Sequence, residues 1–292
     1  MANSFDLVTK FQPILDEIYK KASKTAVLDA PTKPVDFAGA AVVKVYKTSL
    51  VGLGTYSRST GYPVGNVTGS WETLTLATER GREMFIDRMD DDETLGMAFG
   101  TTVGEYMRTL VVPEVDAYRF AAYAGWSGID GTTGNLASGT ILDAVDAAML
   151  AMDENEVPDE GRMLFISSTC YSYLKAAITR MLANENSADR RLQNLDGLPV
   201  TPIPQARFST AVTMNAGATA SAGGFTASGE DINFMLLHPS AVLQTKKHDK
   251  LKIFDPDTNQ DADGWKIQYR LYHDAFVFEN KVDGVYLHAK AA

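Results

Sequence analysis

The residue types that could do chemistry are few, and their spacing fits no familiar reaction. The four histidines, His238, His248, His273 and His288, include no pair four residues apart and no His-Glu-x-x-His, the arrangement that puts two zinc ligands on one helix face. Gly52 and Gly54 form Gly-Leu-Gly without the third glycine of a dinucleotide turn, and no phosphate-loop lysine occurs. Ser127 stands in Gly-Trp-Ser-Gly, which lacks the flanking glycines of a nucleophile elbow. Counted from Asp255, the run Asp255 to Gly264 has Gln260 at the sixth position and Lys266 at the twelfth. A calcium loop needs glycine and a bidentate glutamate there, so an Asx-type turn between strands is expected instead. Asp90 to Glu93 is accounted for by carboxylates accepting the free N–H groups of a helix start and suiting its positive dipole end. Cys170 is the only cysteine, which excludes an intrachain disulfide and a cysteine zinc site. No catalytic, cofactor-binding or metal-ligating residue is therefore expected, no cofactor is implied, and the chain does not read as an enzyme.

Composition narrows the field further. At 292 residues, 45% hydrophobic and 22% charged, the chain is long enough for one large or two modest cores. No apolar run approaches the ~20 residues that span a bilayer, and the N-terminus has no secretory-signal order, so no membrane is expected among its partners. A net charge of −10 argues against tight wrapping of nucleic acid. The densest basic cluster, Lys246, Lys247, Lys250 and Lys252, is interrupted by Asp249 and reads as a solvated loop.

The elements follow from periodicity. Leu7, Val8, Phe11, Ile14, Leu15 and Ile18 share one helical face, broken near Pro13 and followed by an extended tether with Pro31 and Pro34. Such an arm leaves its apolar face uncovered unless it docks on a neighbouring subunit or on its own domain. Ala41 to Tyr46 is β-rich, and the stretch after Ser49 carries Gly52, Gly54, Gly61, Gly65, Gly69 and Pro63. With the alternating strand Trp71 to Ala77 beyond it, this predicts a long hairpin with a flexible tip, an element that is marginal in water by itself. Arg82 to Arg88 alternates again, with Met84 and Ile86 on one face. From Asp90 a long helix is expected, with Phe99, Val103, Tyr106, Met107, Leu110 and Val111 on one stripe, Val115, Tyr118 and Ala122 continuing it, and a kink or restart at Pro113. Gly125 to Gly139 reads as a glycine-rich boundary. A helix over Ile141 to Met152, a buried strand over Met163 to Ser167, and a helix capped by Ser168 or Thr169 running to Arg180 follow. Leu198 to Phe208, with three prolines, is expected at an edge or in a loop, and Ala216 to Gly229 as a mobile low-complexity loop. Asn233 to His238, Trp265 to Glu279 and Val285 to Ala289 read as strands.

Four of these stretches in this order, YSRSTGYPVG, SWETLTL, REMFIDRMDDDET and EYMRTLVVPEVDAYRFA, resemble the major capsid protein of tailed bacteriophages, whose fold is shared with herpesviruses and encapsulin nanocompartments. The resemblance covers residues 46 to 124. It implies an α+β phage major-capsid fold: an N-terminal arm at 1–40, an extended β-hairpin loop at 41–78, a spine-helix peripheral domain at 79–135 with 240–292, and an inserted axial domain at 136–239. It also implies a structural protein that assembles from itself, as pentamers and hexamers, into an icosahedral head around double-stranded DNA contacted non-specifically. The resemblance further implies a place in a virion assembled in a host bacterial cytoplasm, with portal and scaffolding or decoration proteins as further partners. Expected inter-subunit contacts are Tyr56, Arg58, Tyr62 and Pro63 at the loop tip and Phe11, Leu15 and Ile18 on the arm. Some members of that family join loop to neighbour by a lysine–asparagine isopeptide bond. Here Ser49 to Thr78 holds Arg58 and no lysine, so a non-covalent shell is expected. An encapsulin-like cargo compartment, or a small α/β hydrolase in the axial-domain region, are the alternatives.

Overall fold

The computed structural model describes residues 23–29, 36–37, 41–93, 103–178, 192–218 and 222–291. The arm residues Phe11, Leu15 and Ile18 lie outside them, as does Phe99. The chain divides into two units, Pro31–Thr78 and the remainder.

In the smaller unit the predicted hairpin forms. β1 (Asp36–Phe37), β2 (Val42–Ser49) and β3 (Thr68–Thr75) make a sheet in that order, and β2 pairs antiparallel with β3 from Val42↔Thr75 to Ser49↔Thr68. Its period-two pattern buries Val43, Glu72, Leu74 and Leu76 and exposes Tyr46 and Trp71.

In the larger unit a 3-10 turn at Ala26–Leu28 precedes β4 (Thr78–Asp87, its first residue in the smaller unit), whose side chains alternate as expected, with Met84 and Ile86 inward. A short helix α1 (Arg88–Glu93) follows, with Asp90 and Asp91 in its first turn. Helix covers 103–124, but not uniformly: Met107–Val111 is a wide π turn, and a regular helix α2 (Val112–Ala124) restarts with Pro113 in its first turn. Proline cannot donate to the carbonyl four residues back, so the helix widens just before it. The extra residue rotates the stripe. Val103, Met107, Val111 and Val112 are buried, while Leu110, expected inward, is 57% exposed.

The next stretch corrects an expectation. Gly125–Gly139 is no plain boundary, because β5 (Asp130–Thr133) runs parallel to the C-terminal strand. A Cβ at Gly131 would overlap the Leu287 carbonyl, so glycine permits that approach. Helix α3 (Ile141–Glu154) buries Ile141, Val145, Ala148 and Met152, the predicted stripe. β6 (Met163–Ser167) leads into α4 (Ser168–Ile178), whose Cys170 N–H donates to Ser167 Oγ at 3.2 Å. Ser167, one residue before the expected caps, is thus the cap. β7 (Asn194–Leu195) and β8 (Leu198–Ile203) come next. β8 is a strand despite its prolines: it pairs parallel with β6, and its other side is covered only by two-residue β7. β9 (Val212–Met214) and β10 (Phe225–Ala227) form an antiparallel ribbon, so the stretch expected to be a mobile loop contains β10, paired to the strand just before it. β11 (Ile232–Leu237), β12 (Val242–Phe254), β13 (Gly264–Val277) and β14 (Val285–Ala289) complete the chain.

Two sheets carry the body. The six-stranded one has the order β5-β14-β11-β6-β8-β7. Leu164, Ile166, Phe234 and Leu236 face α3 and α4, whereas Phe165, Met235 and Val285 face Phe120 and Tyr123 of α2. β14 therefore shares a core with the spine helix but pairs in this sheet. The three-stranded one, β12-β13-β4, packs Leu251, Ile253, Ile267, Tyr269 and Leu271 on Val103, Met107, Val111 and Val115. The lysine cluster lies on edge strand β12 rather than in a loop, where lysines oppose stray strand pairing. Between β12 and β13, Asp255 Oδ1 accepts from the Thr258 N–H at 2.8 Å, the expected Asx-type turn. Among the described residues no helix is long and apolar enough to cross a membrane.

Candidate functional site

The four predicted loop residues come together. Ser57 and Gly61 exchange backbone hydrogen bonds of 3.2 and 2.8 Å, closing a tight turn over Arg58, Ser59 and Thr60. Gly61 takes φ +82°, which glycine adopts without strain, and Ser57 Oγ accepts from the N–H groups of Ser59 and Thr60. The rings of Tyr56 and Tyr62 flank this bridge with centroids 5.0 Å apart. Pro63 sits against Gly54, where an added Cβ would come within 2.7 Å of its ring. Arg58 is exposed at the apex and makes no ion pair among the described residues. Nearer the base, Tyr46 faces Trp71 across the strands at 5.0 Å, and a side chain at Gly69 would collide with the tyrosine ring.

This unit is conspicuous for what it leaves uncovered. Of the fourteen exposed large hydrophobics among the described residues, nine lie between Tyr46 and Trp71, including Leu53, Tyr62 and Val64. A hairpin cannot bury both faces by itself.

The larger unit holds a polar cluster that periodicity did not flag. Asp116 and Arg119 are fully buried on α2. The Asp116 carboxylate accepts from Ser23 Oγ and Thr25 Oγ1, both at 2.7 Å, and from the Lys24 and Thr25 N–H groups at 2.9 and 3.3 Å. Arg207 approaches it at 3.5 Å. Arg119 donates to Thr25 Oγ1 at 2.8 Å and to Asp29 at 3.0 Å. The available signal was a pair of opposite charges three residues apart between Val115 and Phe120, inside an apolar run.

A cavity of about 310 Å³ lies between β4, the π turn and the β9–β10 tip, lined by Arg80, Arg82, Tyr106, Leu110 and Glu114 among others. Its cations are engaged. Arg80 donates to Glu114 at 2.7 Å and to the carbonyls of Asn215 and Gly224 at 2.8 and 3.1 Å; Arg82 donates to those of Gly217 and Ala222 at 3.2 and 3.1 Å. Burial, then the Glu114 charge, raises the Tyr106 phenol above its ordinary pKa.

The histidines serve the fold. His238 Nδ1 lies 2.7 Å from Ser240 Oγ and accepts from the Ser240 N–H, capping a short turn, while its Nε2 faces the Glu160 carbonyl. His273 is buried edge-on to Tyr118, and burial, reinforced by Arg119, Lys246 and Arg80, pushes its pKa down to about 3. His288 is likewise lowered by burial and contacts Asn233 at 3.1 Å. Among the described residues no three His, Cys, Asp or Glu side chains converge to hold a metal ion.

No protein-family model matches the chain, and no curated protein matches it in sequence. Solved structures do. The capsid of cyanophage P-SCSP1u superposes with a TM-score of 0.63 at 16% identity, covering 87% of this chain and 85% of that one. The mature capsid of bacteriophage PhiM1 gives 0.59 at 13% identity, over 86% and 82%. A virus-like particle from Pyrococcus furiosus gives 0.54 at 10% identity, over 96% and 98%. The chain has the α+β fold of tailed-phage major capsid subunits.

Proposed function

We propose that this chain is the structural subunit of a tailed-phage head, assembling with copies of itself as pentamers and hexamers into a closed icosahedral shell around double-stranded DNA. The observation that carries the reading is the hairpin unit, whose uncovered apolar surface needs a neighbouring subunit to complete it. In this reading Tyr56, Arg58, Tyr62 and Pro63 meet that neighbour, and the arm residues Phe11, Leu15 and Ile18 make a second contact. Residues 1–40 act as the arm, 41–78 as the extended loop, 79–135 with 240–292 as the peripheral domain, and 136–239 as the axial domain. Each contact is modest, and many shared contacts multiply through effective concentration. The net charge of −10 suits a wall that holds DNA without gripping it. The subunit works by shape and not by catalysis; assembly takes place in the host bacterial cytoplasm, with a portal and any scaffolding or decoration proteins joining the same shell. The near-complete overlap with the Pyrococcus furiosus virus-like particle supports a second reading, a closed compartment without a genome.

Size exclusion and electron microscopy of the recombinant full chain test the reading. Closed megadalton shells are expected, and a stable monomer or dimer overturns it. DNA inside particles from the native source separates the phage head from the compartment. Boiling in SDS should give one band near 31.7 kDa, since Ser49 to Thr78 holds no lysine for a covalent link; a multimer ladder contradicts that.

A further inference from the structure

Both chain segments that flank the hairpin unit are fastened to the same six residues of α2. The unit spans Pro31–Thr78, so residues 23–29 lead into it and residues 79–82 lead out. On the entering side, Asp116 collects four hydrogen bonds from Ser23, Lys24 and Thr25, and Arg119 holds Thr25 and Asp29. Leu28, in the same stretch, is buried in the core beside Phe120. On the leaving side, Glu114 accepts from Arg80, whose other donors hold the β9–β10 tip. Three charged side chains, all within Glu114 to Arg119, therefore grip the two roots.

This placement is costly by composition. Asp116 and Arg119 have no exposure at all, and buried charges add stability only when every partner is in place. Their satisfaction depends on segments more than 80 residues away in sequence, so they tie remote chain to the helix instead of merely solvating it. The stretch also begins directly after the π turn and Pro113, and π turns recur at functional positions in helices.

We infer that Glu114, Asp116 and Arg119 are positioning residues that fasten both roots of the hairpin unit to the spine helix and so set it for assembly. The positioning role rests on the shell reading above; the fastening does not. Variants Asp116→Asn and Glu114→Gln, alone and combined, test it in the full chain, with Ser23→Ala as a milder variant that strands no charge. Trypsin cutting of the unassembled chain reports the roots, and size exclusion reports closed shells. Expected are an approximately tenfold faster cut at Lys24 for Asp116→Asn and at Arg80 for Glu114→Gln, with cutting at Arg162 beside β6 unchanged. Shell yield should fall several-fold in the combined variant, and Glu114→Asp, which keeps the carboxylate, should recover part of the single-variant loss. Roots as resistant as in the wild type overturn the fastening. Opened roots with wild-type yield and shell size overturn the positioning. If the wild type forms no shell, the shell reading fails, and the trypsin arm still decides the fastening.

Discussion

The six-stranded sheet and the hairpin unit spend similar residues in opposite ways. Every residue of β11 is buried, because α3 and α4 cover one face of its sheet and α2 the other. In the hairpin, β2 and β3 bury one row and leave Tyr46 and Trp71 in the open, and the loop between them adds further uncovered apolar residues. Among the described residues the first element is covered by its own chain, whereas the second is not. Stability and assembly should accordingly be separable by mutation.

The largest expected effect lies in the sheet. Phe234 is fully buried against α3 and α4, and Phe234→Ala should cost roughly 3–5 kcal/mol through lost transfer energy and the cavity left behind. Denaturant unfolding measures it. A loss below about 1 kcal/mol would mean that this core is loose and that the contrast with the hairpin is false.

That core was legible because its signals are local. The stripe Ile141, Val145, Ala148, Met152 and the apolar runs at Met163–Ser167 and Asn233–His238 each announce themselves within a few residues. The hairpin was legible for the same reason, from alternation on both sides of a glycine-rich turn. What escaped depends on distant partners. Asp-Gly-Thr-Thr becomes β5 only because the C-terminal strand lies beside it. The β9–β10 tip, low in complexity, is held by Arg80 and Arg82 from another sheet. Asp116 sits in an apolar run because Ser23 and Thr25 return to satisfy it. Leu110 faces outward because the helix widens before Pro113, a pitch change no fixed period encodes. The tip residues Tyr56, Arg58, Tyr62 and Pro63 were chosen from composition and do cluster, but no sequence rule gave the Tyr56–Tyr62 pairing.

A pH titration sharpens the contrast from the buried side. His273 stays neutral in the fold down to about pH 3 and ionises in the unfolded chain near its ordinary value of 6.5. Between those values the unfolded state binds the extra proton, so this stabilisation is complete above pH 6.5 and is lost as pH falls toward 3. The loss from this one group should reach about 2 kcal/mol by pH 5. Unfolding curves at pH 7 and pH 5 measure it, and His273→Phe, which keeps a ring against Tyr118, should flatten the difference by that amount. An equal pH dependence in the variant would show that the histidine is hydrated in the fold.

In the hairpin the expected stability effects are smaller and the assembly effects larger. Trp71→Ala removes an edge-to-face contact with Tyr46 on an open surface, worth about 1 kcal/mol or less. The same change should lower the yield of closed shells well beyond that, since the indole belongs to the surface that a neighbour is proposed to cover. A stability loss as large as that of Phe234→Ala, with normal shells, would place Trp71 with the self-completed core.

The smallest expected effect is the most specific. Arg58 stands at the apex of the hairpin, exposed and without an ion pair among the described residues. A surface charge of this kind contributes little to folding, so Arg58→Glu should change the unfolding midpoint by no more than a few tenths of a kcal/mol. If the arginine meets a carboxylate on the next subunit, the reversal replaces attraction by repulsion at every copy of that contact. The penalty per contact stays small at a wet rim, but a closed shell repeats it many times, so shell yield should fall although each subunit is sound. Raising the ionic strength should then restore part of the yield, because screening weakens a like-charge contact. Yield that is unchanged at low salt removes Arg58 from the interface, and yield that falls without salt rescue assigns its part to packing of its aliphatic stem instead of to its charge.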